Sequence, residues 1–126
     1  MTLWLAIDDS NLQNGCMGVV PGTHKNGFSE YENIDSVNNT FDTEIKKELV
    51  DESKVVWFEL SKGECSLHDS RIIHGAHANT STKRRCGYTM RYFSLDMKFN
   101  QEKAPNHLLW WCRGENIALN PLEYKK

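Results

Sequence analysis

No stretch of this sequence is long and apolar enough to span a bilayer, since runs such as Val55-Val56-Trp57-Phe58 stop after a few residues. It has no large excess of either charge, and a formal net charge of −2 gives no electrostatic reason to expect nucleic acid or an anionic membrane as partner. Internal repeats and low-complexity tracts are absent. The apolar opening Met1-Thr2-Leu3-Trp4-Leu5-Ala6-Ile7 lacks basic residues, and Asp8-Asp9 follow at once, which argues against a signal peptide. The four cysteines (Cys16, Cys65, Cys86, Cys112) are therefore expected as reduced thiols in a cytoplasmic protein rather than as two disulfides. The sequons Asn38-Asn39-Thr40 and Asn79-Thr80-Ser81 carry little weight, because the pattern is common by chance.

What is present is an ordinary globular composition, 39% hydrophobic and 25% charged, over 126 residues, so a single domain spanning 1–126 with a modest core is expected. Thr2 to Asp8 reads as a buried strand, and Asp9 to Gly15 is dense in turn formers, ending in Asn14-Gly15. Cys16 to Val20 reads as a second strand, stopped by Pro21-Gly22, and the two strands are expected to pair antiparallel. From His24 to about Thr40 the chain is polar and without periodicity, a long surface loop. Acids precede bases from Thr43 to Val50, which predicts one short helix. Val55–Leu60, Glu64–His68, Arg71–His74 and Cys86–Leu95 carry β signals with turn punctuation. The tail from Asn100 onward has mixed signals and no placed element. Short strands with one brief helix predict a sandwich or barrel.

Three histidines, His68, His74 and His77, fall within ten residues. His74 follows two isoleucines and precedes Gly75-Ala76, so small neighbours leave room for a ligand or metal to approach its imidazole. The competing reading is a core histidine hydrogen-bonded to backbone. Cys65-x-x-His68 with His74-x-x-His77 resembles the paired spacing of structural zinc sites. In strands, however, residues three apart face opposite ways, which argues against zinc. Arg85, Gly87, Thr89 and Arg91 share one face of the last strand by period two, with Tyr88, Met90 and Tyr92 on the other. An arginine in a strand-lined interior needs a partner, and its planar guanidinium suits a carboxylate. A solvated basic face is the alternative.

These residues, in this order, resemble the phytanoyl-CoA dioxygenase family. Thr2–Asp9 with Asn14-Gly15-Cys16-Met17 is similar to the family strand and turn that lead to a Pro-Gly-Ser/Thr-His segment, here Pro21-Gly22-Thr23-His24. Gly63-Glu64-Cys65-Ser66-Leu67-His68 is similar to the strand before the last metal ligand. Arg71-Ile72-Ile73-His74-Gly75, then Asn79-Thr80-Ser81 and Arg84-Arg85, looks like the segment joining that ligand to a cosubstrate-binding arginine. The likeness runs from about Thr2 to Phe93 and more loosely through Arg113-Gly114.

The resemblance implies a mainly β fold, a partial double-stranded β-helix (a jelly-roll, cupin-like barrel). It implies Fe(II) held by two histidines and a carboxylate, with 2-oxoglutarate as cosubstrate and hydroxylation of a small organic substrate as the reaction. By position His74 matches an iron-binding histidine and Arg85, eleven residues later, the anchor for the distal carboxylate of 2-oxoglutarate. Arg84 is the fallback if the register is off by one. Trp4 lies on a strand that lines the cosubstrate pocket in relatives, and His68 has no ligand role in the pattern. The partner is a small-molecule substrate, with no nucleic acid and no membrane.

The family's other two ligands form a His-x-Asp motif ahead of the Trp4 strand, and no His-x-Asp occurs in these 126 residues. The chain is therefore expected to be the C-terminal portion of a dioxygenase barrel, inactive alone and with part of its core exposed. The alternatives are a non-catalytic jelly-roll module binding a small carboxylate or a protein partner, and a cupin-like metal protein with different chemistry.

Overall fold

A computed structural model describes residues 1–35, 37 and 41–123. The sequon at Asn38 and most of the end of the polar loop lie outside them. Two compact units divide the chain, Met1–Arg91 and Tyr92–Lys126.

The first unit holds eight short strands: β1 (Thr2–Ala6), β2 (Met17–Val19), β3 (Tyr31–Asn33), β4 (Thr43–Ile45), β5 (Val56–Trp57), β6 (Cys65–His68), β7 (His74–Ala76) and β8 (Gly87–Arg91). They form two three-stranded antiparallel sheets, ordered β6-β1-β8 and β5-β2-β7, and the ribbon β3-β4. From β5 to β8 successive strands alternate between the two sheets, as in a jelly roll, but neither sheet is closed.

Two expectations are corrected. β1 and β2 do not pair: β1 lies between β6 and β8, and β2 between β5 and β7. The residues joining them are not a tight hairpin. Asn11 caps a 3-10 turn at Leu12–Asn14, its side chain accepting from the Gln13 and Asn14 amides while Asn14 Oδ1 accepts from the Asn11 amide. Gly15 ends that turn at φ +79°, where a Cβ would stand 2.6 Å from the carbonyl oxygen of His77. The turn thus carries the chain from one sheet to the other.

The predicted helix over Thr43–Val50 is instead β4 followed by a 3-10 turn at Lys47–Leu49. Cross-strand pairing with β3 decides this, in register Tyr31↔Ile45 and Asn33↔Thr43, and an ion pair joins Lys46 to Glu30 beside it. Charge spacing alone stabilises a helix by only tenths of a kcal/mol, about 0.2–0.5 per pair, and tertiary pairing overrides it. Helical structure among the described residues is confined to four 3-10 turns.

The core is modest, as expected. Its buried apolar residues in the first unit are Ala6, Cys16, Val19, Val20 and Ile73. On the outer face of the first sheet Leu3 stands opposite Leu67 and Met90, and Leu5 opposite Cys65 and Tyr88. Leu67 and Tyr88 there are 60% and 59% exposed, so that face is apolar and largely open.

The second unit has two short parallel strands, β9 (Leu109–Trp110) and β10 (Leu122–Glu123). Asn120, almost fully buried, organises it. Its amide group accepts from the Phe99 N–H and donates to the Met97 carbonyl, and Asn116 bonds its backbone at both ends. Phe99 stacks on His107.

Candidate functional site

The inner face of the first sheet follows from register. Residues directly opposite share a face, so Thr2 with His68 and Arg91, Trp4 with Ser66 and Thr89, and Ala6 with Gly87 point the same way. Thr2, Ala6, Ser66 and His68 are all buried on it. Gly87, Thr89 and Arg91 share that face by register but are exposed on it, and Arg85 is half-buried.

Trp4 lies across Gly87. A Cβ on Gly87 would overlap the indole, standing 2.6 Å from its Nε1 and closer still to its ring carbons. The absent side chain at 87 is what leaves room for the ring there. Arg85 then places its guanidinium carbon 5.7 Å from the centre of the Trp4 ring, a cation–π contact. Arg84 has a different fate. It donates from Nε and Nη2 to the two carboxylate oxygens of Asp8 at 2.7 and 2.9 Å, and Asp8 also accepts from the Cys86 N–H. Those bonds, that from Arg84 foremost, hold the Asp8 carboxyl below its ordinary range.

His74 opens β7 rather than ending a strand, and it is exposed. Its backbone is fixed by the segment Pro21-Gly22-Thr23. Thr23 Oγ1 accepts from the Ile73 N–H at 2.9 Å and donates to the Val20 carbonyl at 2.8 Å, while the Val20 N–H donates to the Ile73 carbonyl. Ahead of it Asp69 takes a bidentate bond from Arg71 and one from the Arg71 amide, pinning the loop between β6 and β7. The arginine pushes the Asp69 carboxyl far down. Thr23 is thus a positioning residue that the sequence marked only as part of a motif, because the Thr23–Ile73 bond joins residues fifty apart.

The His74 ring is oriented by its own backbone. Nδ1 lies 2.7 Å from the Ile72 carbonyl oxygen, which can only accept, so Nδ1 is the donor, and in the neutral ring Nε2 then keeps its lone pair. This is the arrangement in which an imidazole ligates a metal, with its other nitrogen held by a carbonyl. A Cβ on Gly75 would meet nothing within 4 Å, in keeping with an open approach beside His74. The rings of His68 and His74 are 5.2 Å apart, tilted by 49°. Burial, then the nearby His74, pushes the His68 imidazole below its ordinary pKa.

The geometry joins the predicted residues in two pairs, Arg85 with Trp4 and His74 with His68. The rows of Thr2 and Trp4 are two residues apart along β1, roughly 7 Å by strand rise. The zinc alternative fails on geometry. Cys65 is exposed and His68 buried, as residues on opposite faces should be, and His77 packs its ring against Trp57 at 4.9 Å. No group of three His, Cys, Asp or Glu side chains that could hold a metal occurs among the described residues.

The family profile described as Phytanoyl-CoA dioxygenase (PhyH) matches residues 1–87. A Caenorhabditis briggsae homolog of phytanoyl-CoA dioxygenase domain-containing protein 1 is 33% identical over 93 residues, covering 70% of this chain and 32% of that protein. The Arabidopsis thaliana phytanoyl-CoA dioxygenase is 31% identical over 94 residues, covering 75% of this chain and 32% of its own length. Among solved structures, EvdO2 from Micromonospora carbonacea var. aurantiaca, complexed with 2-oxoglutarate, superposes with a TM-score of 0.62 at 25% identity. The match covers 70% of this chain and 35% of EvdO2. The chain thus spans about a third of the length of the relatives it matches. The mainly β, jelly-roll architecture agrees with that neighbour. By the reach of the family profile over strands β1 to β7, the chain belongs to the phytanoyl-CoA dioxygenase family.

Proposed function

We propose that this chain carries part of the site of an iron(II)- and 2-oxoglutarate-dependent dioxygenase acting on a small organic substrate. In this reading His74 Nε2 is one iron ligand, Arg85 anchors the distal carboxylate of 2-oxoglutarate, and Trp4 forms the wall beside it. The observation that carries the reading is the division of labour between the two arginines. Arg84 is held by Asp8, whereas Arg85 stands over Trp4 and, among the described residues, has no carboxylate partner. A guanidinium placed there is suited to an incoming carboxylate.

Iron and 2-oxoglutarate, when bound, would supply the oxidation with dioxygen as oxidant, one oxygen atom going to succinate as CO2 is lost and the other to the hydroxylated C–H bond. The chain's own contribution is orientation. The Ile72 carbonyl sets the His74 tautomer, Thr23 fixes the start of β7, and the Trp4 ring excludes water from one side of the guanidinium. The four cysteines are free, which suits the reducing cytoplasm. Among the described residues no helix is long and apolar enough to cross a membrane.

A second reading, a jelly-roll module that binds a small carboxylate without turnover, draws on the sequence itself, which contains no His-x-Asp. The two readings share the carboxylate site and differ in catalysis. Titration of 2-oxoglutarate into the purified chain with Zn2+ as a redox-inert metal, followed by saturation-transfer NMR, tests the shared part. Saturable binding that weakens about tenfold or more in Arg85→Ala is expected; no binding by the unaltered chain refutes both. One imidazole does not retain catalytic iron, so the chain alone is expected to form no succinate with Fe(II), 2-oxoglutarate and O2. Succinate formed in step with substrate oxidation would show that the ligand set is complete without further residues.

A further inference from the structure

We propose that His68 and Ser66, on the inner face of β6, are positioning residues that hydrogen-bond an oxygen of the small carboxylate ligand lying between His74 and Arg85. The inference rests on the reading of the site given above and adds two residues to it.

The first observation is an inverted strand. In a sheet with one face on a core, apolar residues point inward and polar ones outward. β6 does the opposite: Ser66 and His68 are each only 8% exposed, while Leu67 between them is 60% exposed. Burying a hydroxyl and an imidazole in place of a leucine is unfavourable for packing alone. Such local inversions occur where a face serves a site.

The second observation is that these polar groups are not satisfied by the fold. Among the described residues neither Ser66 Oγ nor His68 Nδ1 has a hydrogen-bond partner, although both atoms are buried. A buried polar group without a partner costs roughly 1–3 kcal/mol, so nearly all in native proteins find one. Both residues occupy the rows already identified: Ser66 lies opposite Trp4, on which Arg85 rests, and His68 lies beside the His74 ring. Ser66 and His68 thus occupy the rows next to Trp4 and His74, along which the proposed ligand would lie. A hydroxyl and a ring N–H are donors, which is what carboxylate oxygens take. His68 has a second effect, since its ring packs against His74 and restricts rotation of that imidazole.

The test uses the full chain with Zn2+ and 2-oxoglutarate, and two variants. His68→Phe keeps a ring against His74 and removes the nitrogens; Ser66→Ala removes the hydroxyl. Each is expected to weaken 2-oxoglutarate binding about fivefold to tenfold, while Zn2+ affinity measured without 2-oxoglutarate stays within about twofold in both. Long-range 15N NMR of the unaltered chain is expected to show the His68 Nδ1 resonance moving as the ligand saturates. This readout carries the test if His68→Phe fails to fold. Equal 2-oxoglutarate affinity in the variants, or a His68 Nδ1 signal unmoved at saturation, overturns the proposal and leaves the roles of His74 and Arg85 standing. Failure of the unaltered chain to bind refutes the site itself.

Discussion

Arg85 holds its guanidinium 5.7 Å from the centre of the Trp4 ring, and Trp4 can lie there only because residue 87 has no side chain. That contact separates two neighbouring arginines that are otherwise alike. Arg85→Ala is expected to weaken 2-oxoglutarate binding about tenfold or more, with Arg85→Lys intermediate because a point charge loses the planar fork. Arg84→Ala is expected to leave the affinity unchanged. Calorimetric titration of the three variants decides it, and loss of binding in Arg84→Ala would exchange the two roles.

Gly87→Ala is expected to destabilise the first unit by about 1–3 kcal/mol, since the new methyl group overlaps the indole of Trp4 and one of them must move. Urea denaturation followed by tryptophan fluorescence measures it. An unchanged midpoint would mean that Trp4 does not lie on Gly87 in solution.

Thr23→Val keeps the shape of the side chain but removes the acceptor of the Ile73 N–H and the donor to the Val20 carbonyl. A loss of about 1–3 kcal/mol is expected, because a buried N–H is left unpaired. Amide hydrogen exchange at Ile73 should accelerate well beyond that at β1. Uniform acceleration would point to global destabilisation instead.

The His74 tautomer is open to direct observation. With Nδ1 donating to the Ile72 carbonyl, 15N spectra of the metal-free chain at neutral pH should show the Nδ1–H form predominant. His74→Ala should remove the weak Zn2+ binding that a single imidazole supports. A predominant Nε2–H form would remove the case for His74 as a ligand.

Asp8 sets a pH dependence of known sign. The hydrogen bond from Arg84, helped by the Cys86 N–H, lowers its folded pKa below the ordinary 3.8. The stability this confers is fully present above the unfolded value and is lost as pH falls through the folded one. Denaturation midpoints should therefore decline below about pH 4, in part through Asp8 and in part through Asp69, which Arg71 holds low in the same way. Asp8→Asn should flatten that decline. An Asp8 carboxyl titrating by NMR at or above 3.8 would contradict the ion pair.

Strand positions were largely legible, because period-two alternation and turn residues are local properties. Thr2–Asp8, Cys16–Val20, Val55–Leu60, Glu64–His68 and Cys86–Leu95 each contain an observed strand. Ordered motifs also marked His74 and Arg85, and with them the family. Beyond local pattern the reading failed in definite places: β1 does not pair with β2, and Thr43–Ile45 is a strand. Alternation names no partner, and a short segment's weak helical preference yields to cross-strand bonds.

By itself, then, the sequence determined a β protein with an arginine pair and a histidine at family spacing. Only the tertiary structure decided which arginine pairs with Asp8 and which rests on Trp4, and that β6 buries its polar side. Each of these depends on contacts between segments remote in sequence: Trp4 against Gly87 and Thr89 and Thr2 against His68 by strand register, and Asp8 with Arg84 by an ion pair. A shift of one residue in that register would send every one of those side chains to the opposite face.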